Sequence, residues 1–427
     1  MAEIAYCSIV ARNYLAQSKT LAQSIRFHHP KARIFIALAD TAPAEFLAEP
    51  QDFEWVLLEN LGIPDLKSFC FKYTCIELST AIKPFFLKHL FDQKGIEQVV
   101  YLDPDILVLR PLLPVEEALD LAPIVLTPHL TEPLKDVAGP TELDVLRAGV
   151  YNLGFLGLTH SESTQHFLQW WATKLYEGCQ IDLDRGMHVD QRWIDLVPAY
   201  FPETEILRHP GLNIAYWNLR NRPLDQTEGK WFVGVAPAYF FHFSGFDPNQ
   251  PDVISRHFHP QEIIDTPALR TLHNSYAELL KAHGYNRYIT NPSGFGSFDN
   301  GEIIPRRLRL EYREMSPSER NRFGDPFDTE SEGSLYQWWQ AGSGPNAPYS
   351  RRYTWLENHH DLGKTDLSTH GSTIKRPLTS VKKLAARLLW PVFYRQTQFN
   401  CLSLEEMGDL RREIAQLKRQ IRELNQP

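Results

Sequence analysis

The stretch VVYLDPDILVLRPL, residues 99–112, constrains the fold of this chain more than any other. Most of its residues are aliphatic or aromatic, which predicts a buried strand rather than a polar loop. It nevertheless carries two carboxylates, Asp103 and Asp105, and a buried carboxylate is costly unless it is paired or binds a metal. The two aspartates are therefore expected to hold a ligand at the edge of a core.

Pro104 lies between the two aspartates and shapes this expectation. A residue before proline is pushed towards extended geometry, so Asp103 is expected to stay strand-like. Pro104 has no amide hydrogen for a sheet, so the regular strand is expected to end there. Positions i and i+2 of an extended chain point to the same side, so the two carboxylates are expected to converge. Like charges this close require a cation or a proton, and oxygen ligands favour Mg²⁺ or Mn²⁺.

The segments around this stretch alternate between strand and helix patterns. Residues 3–10 and 32–40 are short apolar runs, and residues 14–30 between them have helical spacing. Residues 71–95 also have helical spacing, with a break expected at Pro84. This alternation predicts an α/β fold, with a Rossmann-like, mixed and mainly parallel sheet covered by helices on both faces. Ligands of such sheets bind at the carboxyl ends of the strands.

The composition excludes several classes of protein. The 427 residues are 43% hydrophobic and 12% aromatic, which is ample core material, and a formal net charge of −8 does not suggest a nucleic-acid binder. The five cysteines are scattered and have no disulfide-framework or zinc spacing. The first residues lack a signal-peptide layout, and no apolar stretch reaches the roughly 18 residues of a membrane span. We therefore expect a cytoplasmic protein.

Two enzyme classes place an Asp-x-Asp motif after an apolar strand. In haloacid-dehalogenase phosphatases the first aspartate is a nucleophile at the first strand, and a Thr or Val stands where this chain has Leu107. In nucleotide-sugar glycosyltransferases of the GT-A type, the motif holds a metal that bridges the donor's diphosphate. In this chain the motif begins at residue 103 and not at the first strand, so the second class fits better.

Four further segments follow in order: GVYNLGFLGL (149–158), HVDQRWID (188–195), GLNIAYWNLRNR (211–222) and YFFHFSGFDP (239–248). Together with the Asp-x-Asp motif, this series resembles the GT-A glycosyltransferases related to glycogenin and the lipopolysaccharide galactosyltransferases, in a bacterial or cyanobacterial subgroup. The resemblance covers roughly residues 3–250. It implies a GT-A fold and transfer of a sugar from a nucleoside diphosphate, with UDP the expected one, to a hydroxyl. It also implies Mn²⁺ or Mg²⁺ as cofactor and retention of the anomeric configuration.

The resemblance also assigns roles to residues. The implied metal ligands are Asp103, Asp105 and His242. The implied donor-binding residues are Tyr14, Lys83, Asp103, Asn152, Gly154 and Gly245, and the implied catalytic residues are Asp190 and Gln191. Lys83 equally fits a solvated helix lysine, and Asp190 equally fits a helix N-cap. The chain departs from the family after Gly245, where Phe-Asp-Pro-Asn replaces Lys-Pro-Trp and removes a cation expected near the leaving phosphate.

We predict four regions: a GT-A catalytic domain (1–260), an irregular helical extension (261–344), a linker (345–374) and a C-terminal tail (375–427). The tail begins with a basic amphipathic stretch, which predicts either a helix docked on the catalytic domain or a peripheral contact with the inner membrane face. Apolar residues at heptad spacing follow, which predict either a coiled coil joining a homo-oligomer or one helix packed on its own domain.

The acceptor is expected to be a glycan, lipid-linked or protein hydroxyl. A different class of function is a non-catalytic scaffold, in which the coiled coil assembles partners and the fold only binds a nucleotide sugar. The intact set of metal-ligand candidates argues against it.

Overall fold

A computed structural model of the chain describes residues 3–134, 140–182, 185–257 and 266–341. The predicted linker and C-terminal tail, with the coiled coil and the membrane-contacting helix, lie outside the described residues. Among the helices that are described, none has the length and apolarity needed to cross a membrane.

Strands and helices alternate through most of the described chain. The strands are β1 (Ile4–Val10), β2 (Arg33–Leu38), β3 (Glu54–Leu57), β4 (Gln98–Leu102), β5 (Ile106–Val108), β6 (Ile124–Leu126), β7 (Phe155–Thr159), β8 (Ile181–Asp182), β9 (Met187–His188), β10 (Thr204–Ile206), β11 (Leu224–Thr227), β12 (Lys230–Val233), β13 (Ala236–Pro237) and β14 (Phe240–His242). The helices are α1 (Leu15–His28), α2 (Ala44–Leu47), α3 (Leu66–Lys72), α4 (Cys75–Ala81), α5 (Lys83–Lys94), α6 (Leu113–Leu121), α7 (Glu142–Ala148), α8 (Glu162–Gly178), α9 (Gln191–Ile194), α10 (Val197–Tyr200), α11 (Pro267–Ala282), α12 (Tyr285–Tyr288), α13 (Arg306–Glu314), α14 (Pro317–Asn321) and α15 (Leu335–Gln340). Single turns of 3-10 helix occur at Arg12–Tyr14 and Leu58–Asn60.

The main sheet has seven strands in the order β10-β6-β7-β4-β1-β2-β3. Neighbouring strands are parallel except for the two pairs that β7 makes, with β4 and with β6. The prediction of a mixed, mainly parallel α/β sheet is therefore confirmed. Because β7 is reversed, its first residue, Phe155, pairs with the last residue of β4, Leu102. The start of β7 thus lies at the same edge as the carboxyl ends of the parallel strands.

Helices cover both faces of this sheet. Tyr6 and Val100 belong to one buried apolar cluster with Leu21 of α1. Tyr101 points to the opposite face, as the alternation of a strand requires, and the Nζ of Lys83 on α5 lies 4.3 Å from its ring centroid. Each large apolar side chain buried in these two layers contributes about 1.5–3 kcal/mol to folding.

Strand β4 ends at Leu102, directly before the first of the two aspartates, and does not extend through the whole apolar stretch. The backbone N–H of Asp103 still donates to the carbonyl of Gly154, at 2.8 Å, but the chain then turns, and Ile106 N–H donates to the carbonyl of Asp103 at 3.0 Å. The end of the regular strand at Pro104 was expected. The interpretation of the following apolar run as part of the same central strand is wrong, because that run is β5, which pairs with β14 in a separate two-stranded sheet. The carboxylates therefore converge across a turn and not along an extended chain.

The predicted helical break near Pro84 is present at Ile82, two residues before the proline. Helix α4 ends at Ala81, and α5 begins at Lys83 with Pro84 in its first turn. A proline is well accommodated there because the first N–H groups of a helix have no partner within the helix.

The chain divides into two compact units. The first comprises Met1–Ile304 together with Tyr312–Ser316, and the second begins at Pro305. In the first unit, Leu272 and Tyr276 of α11 share an apolar cluster with Leu15 of α1. The described residues from 266 to 304 belong to the first unit.

Candidate metal centre and donor site

Three potential metal ligands meet at the carboxyl edge of the sheet. Asp103 and Asp105 follow β4, and His242 is the last residue of β14. The Nε2 atom of His242 lies 3.0 Å from Oδ1 of Asp105 and 3.8 Å from Oδ2 of Asp103. One ligand atom from each residue lies within 4.8 Å of the other two. Two carboxylate oxygens and one imidazole nitrogen are a donor set that suits a divalent cation such as Mn²⁺ or Mg²⁺.

The pairing of β5 with β14 brings these ligands together. His242 lies opposite Ile106 in the antiparallel register. The next backbone N–H, that of Phe243, donates to the carbonyl of Asp105 at 2.8 Å. Two segments far apart in the chain are therefore fixed to each other by main-chain hydrogen bonds at the site itself.

The three ligands influence each other's protonation. Burial by itself lowers the pKa of His242, but the charge of Asp105 and a hydrogen bond to it outweigh burial and raise that pKa. Burial by itself raises the pKa of Asp105, but the charge of His242 and the same hydrogen bond lower it. The pKa of Asp103 is raised by burial, against an opposing effect of the Lys83 charge. The proximity of the three groups thus raises the pKa of the imidazole and lowers that of Asp105.

The imidazole of His242 is held in a closely packed position. It is 5% exposed, and its ring centroid lies 5.3 Å from that of Trp217 in an edge-to-face arrangement. A Cβ on Gly154 would lie 2.5 Å from Cε1 and 2.7 Å from Nδ1 of His242. Glycine at position 154 is therefore required by the imidazole itself. Its predicted role in leaving room for the donor sugar stays a prediction.

Asn152 and Gln191 stabilise the loop that leads into β7. The side-chain oxygen of Asn152 accepts from the N–H of Gly154 at 3.1 Å, and its Nδ2 donates to Nε2 of His129 at 3.1 Å. Burial lowers the pKa of His129 to about 4, so that its ring is neutral and Nε2 can accept. The Oε1 of Gln191 accepts from the N–H of Leu153 at 2.9 Å, and its Nε2 donates to another backbone carbonyl. Both amides are thus bound to protein groups.

Lys83 and Asp190 form a buried ion pair behind the metal cluster. The Nζ of Lys83 lies 2.7 Å from Oδ2 of Asp190 and donates to the carbonyl of Leu153 at 2.9 Å. Both side chains are almost fully buried. Asp190 precedes α9 but makes no side-chain cap to that helix, so its carboxylate is directed to Lys83 and not to the helix N-terminus. The interpretation of Lys83 as a solvated helix lysine is therefore wrong.

The remaining predicted donor residues lie at the same edge. Tyr14 ends the 3-10 turn that follows β1. Burial raises the pKa of Tyr14 and the charge of Asp105 raises it further, as expected for a phenol close to the cluster. Gly245 follows His242 by three residues and has a φ of +74°, a left-handed conformation that favours glycine.

The structure adds residues that the sequence analysis did not assign to the site. The hydroxyl of Tyr101 donates to Oδ1 of Asp103 at 2.6 Å. The alternation of β4 carried a signal for this contact, since Tyr101 and Asp103 are two positions apart. His129 and Trp217 support the metal cluster from distant loops, and no spacing in the sequence links them to it.

No protein-family model matches the chain. The chain is 24% identical over 251 residues to the uncharacterized protein YfnD of Bacillus subtilis (strain 168), covering 58% of this chain and 79% of that protein. It is also 24% identical over 310 residues to the uncharacterized protein YfnF of the same organism, covering 70% of this chain and 99% of that protein.

Solved structures of glycosyltransferases are similar to the chain. The galactosyltransferase LgtC, in complex with donor and acceptor sugar analogues, matches with 16% identity and a TM-score of 0.42 over 67% of this chain and 97% of that one. The glycosyltransferase GlyE of Streptococcus pneumoniae TIGR4 matches with 14% identity and a TM-score of 0.39 over 70% of this chain and 67% of that one. Mouse xyloside xylosyltransferase 1 matches with 13% identity and a TM-score of 0.33 over 56% of this chain and 97% of that one.

We predict that Gly154→Ala will weaken Mn²⁺ binding by about tenfold to a hundredfold while the protein stays folded, because the added methyl group displaces the His242 ring. Titration with Mn²⁺, followed by electron paramagnetic resonance, measures the effect. Gly157→Ala, three residues further along in β7, is the control, since the atoms nearest to its Cβ are side-chain atoms of Leu119 and Val125, at 3.2 Å. Equal Mn²⁺ affinity in Gly154→Ala and wild type would contradict the packing described here.

Mn²⁺ affinity is also expected to depend on pH. A cation must displace the proton from His242, whose pKa is raised above its ordinary value of about 6.5, because only the neutral imidazole binds metal. Affinity should therefore rise by about tenfold per pH unit below that pKa and level off above it. Calorimetric Mn²⁺ titrations from about pH 6 to about pH 9 test this, with His242→Gln expected to flatten the profile. A wild-type affinity that stays constant over this range would contradict the prediction.

Proposed function

We propose that this protein is a metal-dependent glycosyltransferase that moves a sugar from a nucleoside diphosphate, UDP being the first candidate, to a hydroxyl acceptor. The observation that carries the proposal is the cluster of Asp103, Asp105 and His242 at the carboxyl edge of a mainly parallel sheet. Ligands of such sheets bind at this edge, and a diphosphate is the part of a nucleotide sugar that a divalent cation binds.

The donor set supports Mn²⁺ as the preferred ion. Asp103 and Asp105 provide hard oxygen ligands, and the imidazole of His242 shifts the preference from Mg²⁺ towards Mn²⁺. The Nε2 atom of His242 lies 3.0 Å from Asp105 and 3.8 Å from Asp103, so Nε2 is the nitrogen directed to the ion. A bound Mn²⁺ would neutralise the charge of the departing diphosphate, the kind of electrostatic effect that usually contributes most to catalysis.

Asp190 is proposed to act on the transferred sugar. Its carboxylate is oriented by Lys83 at 2.7 Å, and its proposed role is to stabilise positive charge that develops at the anomeric carbon. Because one of its oxygens is committed to Lys83, an electrostatic role is favoured over removal of the acceptor's proton. This favours retention of configuration, since inversion would need a free carboxylate base at the acceptor.

Gln191 is proposed to position the loop that leads into β7. Its amide is bound to the N–H of Leu153 and to a second backbone group, which keeps Asn152 and Gly154 in place beside His242. The proposed acceptor is a hydroxyl of a glycan, a lipid-linked saccharide or a protein. Dimerisation and a peripheral membrane contact through the C-terminal tail are proposals from the sequence alone.

We predict that Asp105→Asn will reduce the release of UDP from UDP-sugars in the presence of Mn²⁺ by about a hundredfold or more. The melting temperature of the protein should not change. The substitution removes one metal-ligand charge but keeps the side-chain shape. The assay measures UDP released from a panel of UDP-sugars, with Mn²⁺ and with a chelator. Asp225→Asn, at an exposed position on β11, is the matched control. Release by Asp105→Asn at the wild-type rate would exclude the proposed metal site.

A further inference from the structure

The segment of residues 255–257 folds back onto the turn that follows His242. The backbone N–H of Arg256 donates to the carbonyl of Gly245 at 2.9 Å. The hydroxyl of Ser255 donates to the carbonyl of Ser244 at 2.8 Å, and Ser255 is almost fully buried. These bonds fix Arg256 and His257 against the turn that carries the histidine ligand.

The contact between this segment and the turn depends on a glycine. Gly245 has a φ of +74°, and a Cβ there would lie 2.5 Å from Cδ2 of His257 and 2.7 Å from Oγ of Ser255. A side chain at position 245 would therefore push residues 255–257 away. Glycine at position 245 therefore allows residues 255–257 to pack on the turn that follows His242.

Arg256 presents a charge that other groups of the site leave uncompensated. The residue is exposed, and its charge opposes the rise that burial causes in the pKa of Tyr14. Within the part of the chain that the structure describes, no carboxylate makes an ion pair with Arg256. Its backbone N–H is bonded to the carbonyl of Gly245, three residues after His242, so Arg256 lies beside the turn that carries this candidate ligand.

The other nearby cation has a different partner. Lys83 is 1% exposed, and its Nζ is bound to Asp190 and to a backbone carbonyl. The residues directly after Gly245 are Phe-Asp-Pro-Asn and supply no cation. A diphosphate bound to a divalent ion still carries negative charge, and an exposed guanidinium is suited to it because its planar fork binds two phosphate oxygens at once.

We propose that Arg256 binds the diphosphate of the nucleotide sugar, with its position set by the hydrogen bond of its backbone to Gly245 and by the packing of His257 on Gly245. This inference rests on the proposed function. Arg256 would supply the positive charge that the residues directly after Gly245 lack.

Calorimetric titration of the full-length protein tests the proposal with two probes, UDP and inorganic pyrophosphate, each in the presence of Mn²⁺. Arg256→Gln should weaken binding of both by about tenfold or more, the effect of losing a hydrogen bond between charged groups, and Arg256→Lys should recover part of the loss. Arg33→Gln removes the same charge at the amino end of β2, at the opposite edge of the sheet, and should bind both probes like the wild type.

The outcomes separate this proposal from the proposed function. Wild-type protein that binds neither probe with Mn²⁺ would remove the proposed function and this inference with it. Wild-type binding that Arg256→Gln leaves unchanged would overturn this inference alone. So would a loss of UDP binding with pyrophosphate binding intact, because Arg256 would then contact the nucleoside and not the diphosphate.

Discussion

The candidate site depends on the short antiparallel pairing of β5 with β14. Those two strands contain only three residues each, yet they fix His242 opposite Ile106. Ile106 is the residue that follows Asp105, the second aspartate. The hydrogen bond from Phe243 to the carbonyl of Asp105 continues the pairing to the metal ligands. The main sheet positions Asp103 through β4, and this small sheet supplies the histidine. The candidate metal centre lies where the two sheets meet.

Each of the three carboxylates at the site has a partner. Asp103 accepts from the hydroxyl of Tyr101, Asp105 is paired with His242, and Asp190 is paired with Lys83. Buried charges without partners would cost several kcal/mol each, so this arrangement makes a dense group of carboxylates compatible with folding. It also makes protons and a cation competitors for the same ligands, which links metal binding to pH.

Much of the fold and of the candidate cluster is predictable from the sequence. Local geometry was predicted correctly from three features of the sequence. They are the apolar run before Asp103, the helical spacing after Tyr14 and the proline at position 104, which marks the end of the strand. The division of one apolar run into β4 and β5 was not predictable, because β5 is selected by its partner β14 far along the chain. The requirement for glycine at position 154 depends likewise on the His242 ring, and the place of Arg256 depends on a turn eleven residues earlier. Such features come from tertiary packing, which leaves no periodic signal in the sequence.

The central claim is that Asp103, Asp105 and His242 bind one catalytic divalent cation. Anomalous diffraction at the manganese absorption edge, from crystals of the full-length protein grown with Mn²⁺ and UDP, tests it most directly. The account predicts one strong peak bonded to both carboxylates and to Nε2 of His242, at about 2.1 Å. A map with bound UDP and no peak at these residues, or with the peak bonded to other side chains, would contradict it.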